Sequence, residues 1–594
     1  PVPAVAGEFA PGMPTEPAPG KPTAGEFAPA AAIEPVPAVA GEFAPGMPTE
    51  PAPGKPTAGE FAPAAATEPV STTAGEPAPV AATEPVRVTA TVPAPGTVAG
   101  SFSSALAEPG TWSYDDAERA PVGEAPSGAA VVPARHPAAE PGPRPVADAE
   151  RAPAAHVEPS STPLAQDDPA LAGLLVREGI RQQETLVLVA SSSVASSSVL
   201  ACAGSVLGNL TMEGYPGRRY HAGGEIADEV ERLALDRACA LFRAEAANVQ
   251  PHSGSSANLA VLAGLLEPGD TILGLDLDCG GHLSHGSAAS ITGRYFRSVH
   301  YRTGADDLLD YEQIAELAAE HRPKVVIAGA SAYPRHIDFA RFREIADEVG
   351  AYLIADISHI AGLVAAGLHP SPVDHAHLTT TSTYKQLYGP RGGMILLGRD
   401  ADAPGPDGRV PLRKLADRAV FPLVQGTPDL GNVAAKARAL HAAAQPGFRT
   451  LMERVLDTAT AMAERLGRRG LRVITGGTDT HMVLADLNPH HVSGADAEEA
   501  LEACGILLNR NRVPGDDTPP RVTSGIRIGT NTLAARGASP ETAARCADLV
   551  ADVVEELRDA KAVHPGTTAR IRAEVRRVCA AHPLPGHPDR APGA

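Results

Sequence analysis

Apolar and mixed segments alternate between residues 324 and 356. The run from Lys324 to Ala330 is almost wholly apolar and predicts a buried strand. The segment 338–350 has helical spacing and ends at a glycine suited to a C-cap; its apolar face consists of Phe339, Phe342, Ile345, Ala346 and Val349. Residues 352–355 predict the next strand. This alternation predicts an α/β fold with a mostly parallel sheet.

The folded part is predicted to begin near Asp168 and Pro169, because Asp suits an N-cap and Pro the first helical turn. Beyond about residue 430, helical patterns over 432–445 and 450–469 precede short strands near 472–475 and 481–487. We therefore predict a large domain over 166–430 and a smaller α+β domain over 431–585.

Residues 1–160 are a low-complexity region rich in Pro, Ala and Gly. Residues 1–34 and 35–68 are identical except for Ile33 and Thr67, but their prolines rule out a helical repeat. Such a segment buries too little apolar surface to offset its chain entropy, so we predict a disordered tail that the chemistry does not need. The tail could serve as a docking arm, with GEFAP as its repeated motif. We favour the interpretation that it is a dispensable tail or an over-extended gene start.

Charge and cysteine content narrow the function. The net charge of −20 gives no sign of nucleic-acid binding, and no apolar run is long enough to span a bilayer. Six cysteines lie without CxxC spacing, which argues against a metal cage or disulfide framework and predicts no metal and a cytoplasmic location.

Candidate chemistry centres on Lys385, which follows the hydroxyl-rich run 379–383 and precedes the glycine-rich turn 389–393. Asp356 ends a predicted strand 29 residues earlier in the chain. A lysine that can form a Schiff base, with an acid to pair with a pyridinium nitrogen, is what a pyridoxal 5'-phosphate (PLP) enzyme requires. The turn Ser253-Gly254-Ser255 opens an apolar helix, and such a helix N-terminus can bind a phosphate.

With these motifs, the chain from about Asp168 to His582 resembles the serine hydroxymethyltransferase family, whose fold is PLP fold-type I. The similarity lies in eight collinear motifs: EGYPGRRY from Glu213, NVQPHSGSSAN, GGHLSHG, AGASAYPR, ADISHIAGLVAAGLHPSP, TTTSTYK, GPRGGMIL and TSGIRIGT. This implies an aspartate aminotransferase-like large domain and a smaller C-terminal domain.

The resemblance also implies roles for individual residues. The catalytic residues would be Lys385, Glu213, His282 and Asp356, with His282 stacked on the cofactor ring and Glu213 moving the substrate hydroxyl proton. Cofactor-binding residues would be Ser253, Gly254, Ser255, His282, Ser331, Asp356, His359, Lys385 and Gly426. Substrate-binding residues would be Ser191, Tyr220 and Arg527, with Arg527 binding the carboxylate. Because Glu213 reaches in from a neighbouring subunit in the family, a homodimer or homotetramer is expected.

Several positions depart from the family pattern. On either side of Glu213, two tyrosines of the family are replaced by Thr211 and His221. Near the lysine, Tyr384 replaces a histidine and Tyr388 replaces an arginine. Thr427 replaces a glycine, and residues 190–193 read ASSS where ASEN is usual. These changes favour a folate-independent threonine transaldolase, which makes and breaks the Cα–Cβ bond of β-hydroxy amino acids with an aldehyde partner. The alternative is serine hydroxymethyltransferase, which interconverts serine and glycine with tetrahydrofolate and which the segment 509–511 still resembles. A non-catalytic PLP-binding scaffold is disfavoured, because Lys385 and Asp356 are both present.

Overall fold

The structure is a computed structural model in which residues 163–585 are described; the predicted tail, 1–160, lies outside them. The helices in this range are α1 (Leu164–Asp167), α2 (Pro169–Glu184), α3 (Ser197–Ala203), α4 (Glu225–Phe242), α5 (Gly254–Leu265), α6 (Ile291–Tyr295), α7 (Tyr311–His321), α8 (Phe339–Val349), α9 (Ala361–Ala365), α10 (Leu412–Arg418), α11 (Leu430–Ala443), α12 (Pro446–Arg468), α13 (Gly494–Ala503), α14 (Asn531–Ala535), α15 (Pro540–Ala560) and α16 (Pro565–Ala581). The strands are β1 (Leu186–Val187), β2 (Gly214–Tyr215), β3 (Arg218–Arg219), β4 (Ala246–Asn248), β5 (Thr271–Leu275), β6 (Arg297–Tyr301), β7 (Val325–Ala328), β8 (Tyr352–Asp356), β9 (Leu378–Ser382), β10 (Gly393–Leu397), β11 (Arg472–Val473), β12 (Met482–Asp486), β13 (Ile506–Leu507), β14 (Asn509–Asn511) and β15 (Gly525–Gly529).

A seven-stranded sheet has the order β4-β10-β9-β8-β7-β5-β6. The five strands from β9 to β6 run parallel, whereas β10 is antiparallel to both of its neighbours. Within β8, Leu353 and Ala355 belong to one buried cluster and Ile354 to another. The sheet is therefore buried on both faces, as a parallel sheet with helices on each side requires. The predicted α/β fold with a mostly parallel sheet is confirmed.

The local signals used for the central β–α–β unit correspond to real caps. The Asp338 side chain accepts the N–H of Arg341 at the start of α8, and Gly350 ends that helix with a φ of +72°. Asp168 likewise accepts the N–H of Leu171 at the start of α2. The Asp338 cap lies in the loop that follows β7, at the carboxyl edge of the parallel strands, where ligands bind in open α/β sheets.

A second sheet of four antiparallel strands, β11-β12-β15-β14, lies in the C-terminal part of the chain. The predicted strand 472–475 is shorter in the structure, because Thr475 adopts a left-handed conformation (φ +61°) inside a tight turn. Strand β1 pairs with β13, and Leu186 and Leu188 join the C-terminal core. Residues at the start of the predicted large domain therefore pack with the C-terminal part; the boundary at 430 remains a prediction. No helix within residues 163–585 is long and apolar enough to cross a membrane.

Arg536 joins the two ends of the described chain. Its guanidinium is buried and donates to the carbonyls of Gln182, Gln183 and Thr185 at the end of α2. It also donates to the carbonyls of Cys579 and His582 at the end of α16. The last carbonyls of a helix have no partner inside the helix, so one cation here satisfies both helix ends.

Replacing Arg536 with Met should lower the free energy of unfolding by about 3 kcal/mol, because several buried carbonyls lose their donor. Urea denaturation of the PLP-loaded protein measures this change. Arg558→Met is the control, since Arg558 is exposed and its salt-bridge partner among residues 163–585 is the neighbouring Asp559; its loss should cost less than about 0.5 kcal/mol. Equal effects of the two variants would contradict the structural role of Arg536.

Candidate active site

The loops after β5, β7, β8 and β9 enclose one small cavity at the carboxyl edge of the large sheet. Eight of the predicted site residues line it: Ser253, Gly254, Ser255, His282, Ser331, Asp356, His359 and Lys385. They come from segments far apart in the chain, which the parallel strands bring to a common edge. The cavity therefore combines the predicted lysine, acid and helix N-terminus.

Asp356, the last residue of β8, is a buried carboxylate with three hydrogen-bond donors. Its Oδ2 accepts from Asn258 Nδ2 at 2.7 Å and from His285 Nε2 at 3.0 Å, and its Oδ1 accepts the N–H of Ser358 at 3.0 Å. Burial alone would raise the pKa of Asp356, but the hydrogen bond and charge of His285 hold it well below its usual range. An ionised acid at this position can pair with a protonated ring nitrogen.

Lys385 follows β9 and is almost completely buried. Burial lowers the pKa of its amine to about 8, although the charge of Asp356 acts in the opposite direction. A second buried lysine, Lys436, differs in its contacts: its Nζ donates to the carbonyls of Val249, Pro251 and Gly393 at 2.6, 2.9 and 3.0 Å. All three of its donors are used, so Lys385 is the amine free to react with an aldehyde.

The N-terminus of α5 forms one wall of the cavity. Ser253 caps the helix, with its Oγ accepting the N–H of Ser256 at 3.0 Å. A Cβ on Gly254 would lie 3.1 Å from Ser358 Oγ and 3.2 Å from Ser382, so only glycine fits this close approach comfortably. The free N–H groups and positive dipole end of a 12-residue helix are suited to a phosphate.

His282 presents a neutral ring to the same cavity. Burial is the main cause that lowers its pKa to about 4. Its Nδ1 accepts the N–H of Ser284 at 3.2 Å and lies 2.7 Å from Ser284 Oγ. These contacts fix the orientation of a flat, uncharged imidazole, which is the form suited to stacking on an aromatic ring.

Arg527, on β15, lies beside Ser331. Its Nη1 donates to the Ser331 carbonyl at 2.6 Å, and its Nε and Nη2 donate to Asn509 Oδ1 at 3.2 and 3.1 Å. These partners are uncharged, and no carboxylate pairs with Arg527 among residues 163–585. Burial lowers its pKa to about 10, so it stays cationic at neutral pH. A partly buried cation without an anionic partner among these residues is suited to binding a carboxylate.

Arg527 and Ser191 do not line this cavity within one chain, and neither do Glu213, Tyr220 and Gly426. A Cβ on Gly426 would lie 3.1 Å from Glu213 Oε1, and the Tyr220 ring lies 5.6 Å from that of Phe421. Tyr220 is 77% exposed. Glu213, Tyr220 and Gly426 form a separate surface cluster, as expected of residues that act in a neighbouring subunit. Ser191 is half-buried beside Ala190, which packs against Gly529, two residues after Arg527.

Sequence reasoning missed several residues that support the site. Asn258 and His285 hold Asp356, and Lys436 holds the backbone before Ser253. The sequence signal for His285 is its position in the motif GGHLSHG, three residues after His282. His282, His285 and Asp356 lie close enough to share a metal ion, but the His285–Asp356 and His282–Ser284 contacts already explain their arrangement.

The residues present fit PLP. A reactive buried amine, an ionised acid, a neutral ring and a helix N-terminus surround one cavity. These groups match the aldehyde, the pyridine nitrogen, the aromatic face and the phosphate of the cofactor, respectively.

Comparison with known proteins agrees with this arrangement. The family model described as serine hydroxymethyltransferase matches residues 164–550. A serine hydroxymethyltransferase from Rhizorhabdus wittichii is 48% identical over 423 residues, which cover 71% of this chain and 94% of that protein. One from Rhodospirillum centenum is 48% identical over 422 residues, covering 71% and 96%. One from a Wolbachia strain of Drosophila simulans is 47% identical over 405 residues, covering 68% and 92%.

Lys436→Met should weaken PLP binding about tenfold, because three carbonyls around the phosphate-binding turn lose their donor. The dissociation constant, measured by absorbance titration of PLP-depleted protein, checks this. Lys324→Met is the matched control: Lys324 is exposed and pairs with Asp270, so its PLP affinity should stay within about twofold of the unaltered protein. Unchanged affinity in Lys436→Met would show that Lys436 does not position the turn.

Proposed function

The chain belongs to the serine hydroxymethyltransferase family, a family of PLP-dependent enzymes, and we propose that it transfers the hydroxymethyl group of serine to tetrahydrofolate and so forms glycine. The observation that carries this proposal is the near full-length match to relatives named serine hydroxymethyltransferase. These names support the alternative given above better than the transaldolase expectation.

Bound PLP supplies an electron sink for the bond electrons released at the amino-acid Cα. Lys385 would hold the cofactor through its aldehyde carbon, and the ionised Asp356 would keep the ring nitrogen protonated. The N–H groups at the start of α5 would hold the phosphate. His282 would pack against the ring as a neutral imidazole. Hydrogen bonds favour the ionised form of Asp356, and burial favours the neutral form of His282.

Arg527 would bind the substrate carboxylate in the planar, two-point manner of a guanidinium group. With the amino acid fixed at its carboxylate and its nitrogen, its side chain keeps a single orientation, as bond cleavage at Cα requires. Glu213 of a neighbouring subunit would take the proton from the β-hydroxyl oxygen of serine. Family members are typically oligomers, which agrees with the separate position of Glu213 and Tyr220 in one chain.

A place for the folate ring is supported by the surface beside His282. Leu277 and Leu283 flank the segment 280–282 and are 44% and 49% exposed. A salt bridge between Arg512 and Asp278 ties this segment to the chain that follows β14, and the amides of Asn509 and Asn511 lie on that strand. Exposed apolar side chains of this kind suit the flat face of a heterocycle.

Threonine transaldolase activity remains a second candidate because of one contact. The N–H of Glu213 donates to His221 Nδ1 at 3.3 Å, so an imidazole adjoins the proposed proton carrier where the family has a phenol. Two other departures have structural explanations. Tyr388 is partly buried and donates to the Asn531 carbonyl at 2.8 Å, and the Tyr384 ring lies 4.2 Å from the Arg391 guanidinium carbon.

The test compares two reactions of the full chain loaded with PLP. We expect conversion of labelled serine to glycine to require tetrahydrofolate and to exceed acetaldehyde release from threonine by about tenfold or more. His221→Tyr is the informative variant: it should change the serine rate little if His221 is compatible with the folate reaction. Threonine cleavage that dominates, together with serine turnover that appears only in His221→Tyr, would establish the transaldolase instead.

A further inference from the structure

A buried histidine immediately before β12, His481, contacts the cavity residue His359 from behind. His481 Nε2 lies 3.1 Å from the Ala190 carbonyl oxygen and 3.4 Å from His359 Nδ1. The two ring planes are 21° apart, with centroids separated by 5.5 Å. The ring planes are nearly parallel, and the contact between the two nitrogens is within hydrogen-bond distance.

The Ala190 carbonyl determines where the protons lie. A carbonyl can only accept, so His481 must carry a proton on Nε2. The same oxygen also accepts from Asn531 Nδ2 at 3.2 Å, which fixes its position. His481 Nε2–H is therefore shared between Ala190 and His359 in a three-centre hydrogen bond. His359 Nδ1 must then be the acceptor.

Both rings are neutral in this environment. Burial is the main cause that lowers the pKa of His481 to about 3 and the pKa of His359 well below its usual value. The nearby positive charges of Lys385 and Arg527 act in the same direction. A neutral imidazole carries one proton, so with Nδ1 as acceptor the proton of His359 is on Nε2.

We propose that His481 is a positioning residue that sets the tautomer of His359, making His359 an Nε2–H donor toward the Lys385 cavity. PLP carries a phenolic oxygen next to the carbon that reacts with lysine, so a donor beside Lys385 would suit this oxygen as its acceptor. A donor at that oxygen favours its ionised form. The proposal rests on the proposed function only in requiring PLP at Lys385.

A purely packing role fits the site less well. His481 Nδ1 is buried without a hydrogen-bond partner among the described residues, which is unfavourable for stability. An apolar side chain of similar size would avoid that cost. The polar ring is accounted for by the two contacts of its Nε2–H.

The first test needs no substitution at His481. In the PLP-loaded full chain with ring-15N histidine, the nitrogen shifts of His359, assigned by their loss in His359→Gln, report its tautomer. We expect a protonated Nε2 and an unprotonated Nδ1. A protonated Nδ1, or a doubly protonated ring, overturns the proposal.

The second test uses the absorbance of bound PLP in His481→Phe and His481→Gln. Phe removes the donor, so the bound cofactor should shift about tenfold toward its protonated phenol, which absorbs at shorter wavelength. The amide of Gln can still donate to both acceptors and should restore most of the visible band.

His490→Phe is the control, because His490 is also buried, also lies 3.1 Å from a carbonyl (Gly470) through Nε2, and also has an unpartnered Nδ1. Its spectrum should not change. An unshifted spectrum in His481→Phe, or equal shifts in both Phe variants, contradicts the proposal. A lack of serine turnover in protein with an intact cofactor band would instead count against the proposed function alone.

Discussion

The ionised carboxylate of Asp356 is the constraint on which the site depends. It lies at the end of a central strand and is only 7% exposed. A buried charge costs several kcal/mol unless hydrogen bonds compensate it. Here the compensation comes from three different segments: Asn258 on α5, His285 in the loop after β5, and the N–H of Ser358 after β8 itself. Holding this charge therefore also holds α5, the helix proposed to bind the phosphate, and the loop that carries His282.

Burial has the opposite effect on the cationic groups around the cavity. Burial lowers the pKa of Lys385 and of Arg527, and neither forms a salt bridge with a protein carboxylate in the described range. A site of this kind attracts the anionic parts of a cofactor and a substrate, because their charges replace missing counterions in a region of low dielectric constant. Burial also lowers the pKa of Lys436, to about 7, but its Nζ differs from that of Lys385 in donating to three backbone carbonyls.

The sequence was sufficient for the central β–α–β unit, because its caps and apolar faces are local signals. Motif resemblance was sufficient to bring Lys385, Asp356 and His282 into one site. The partners that set their chemical states were not predictable from local pattern. His285 is 71 residues from Asp356, His481 is 122 residues from His359, and Lys436 is 185 residues from Pro251. Such contacts exist only after the strand order brings distant loops together, and the pairing of β1 with β13 was missed for the same reason.

The central claim is that Lys385, and not the other buried lysine, carries PLP. Borohydride reduction of the PLP-loaded protein, followed by peptide mapping by mass spectrometry, tests it directly because reduction fixes the cofactor on the lysine that holds it. The account predicts a single pyridoxyl group on the peptide that contains Lys385. A pyridoxyl group on Lys436, or on any lysine outside the cavity, would contradict it.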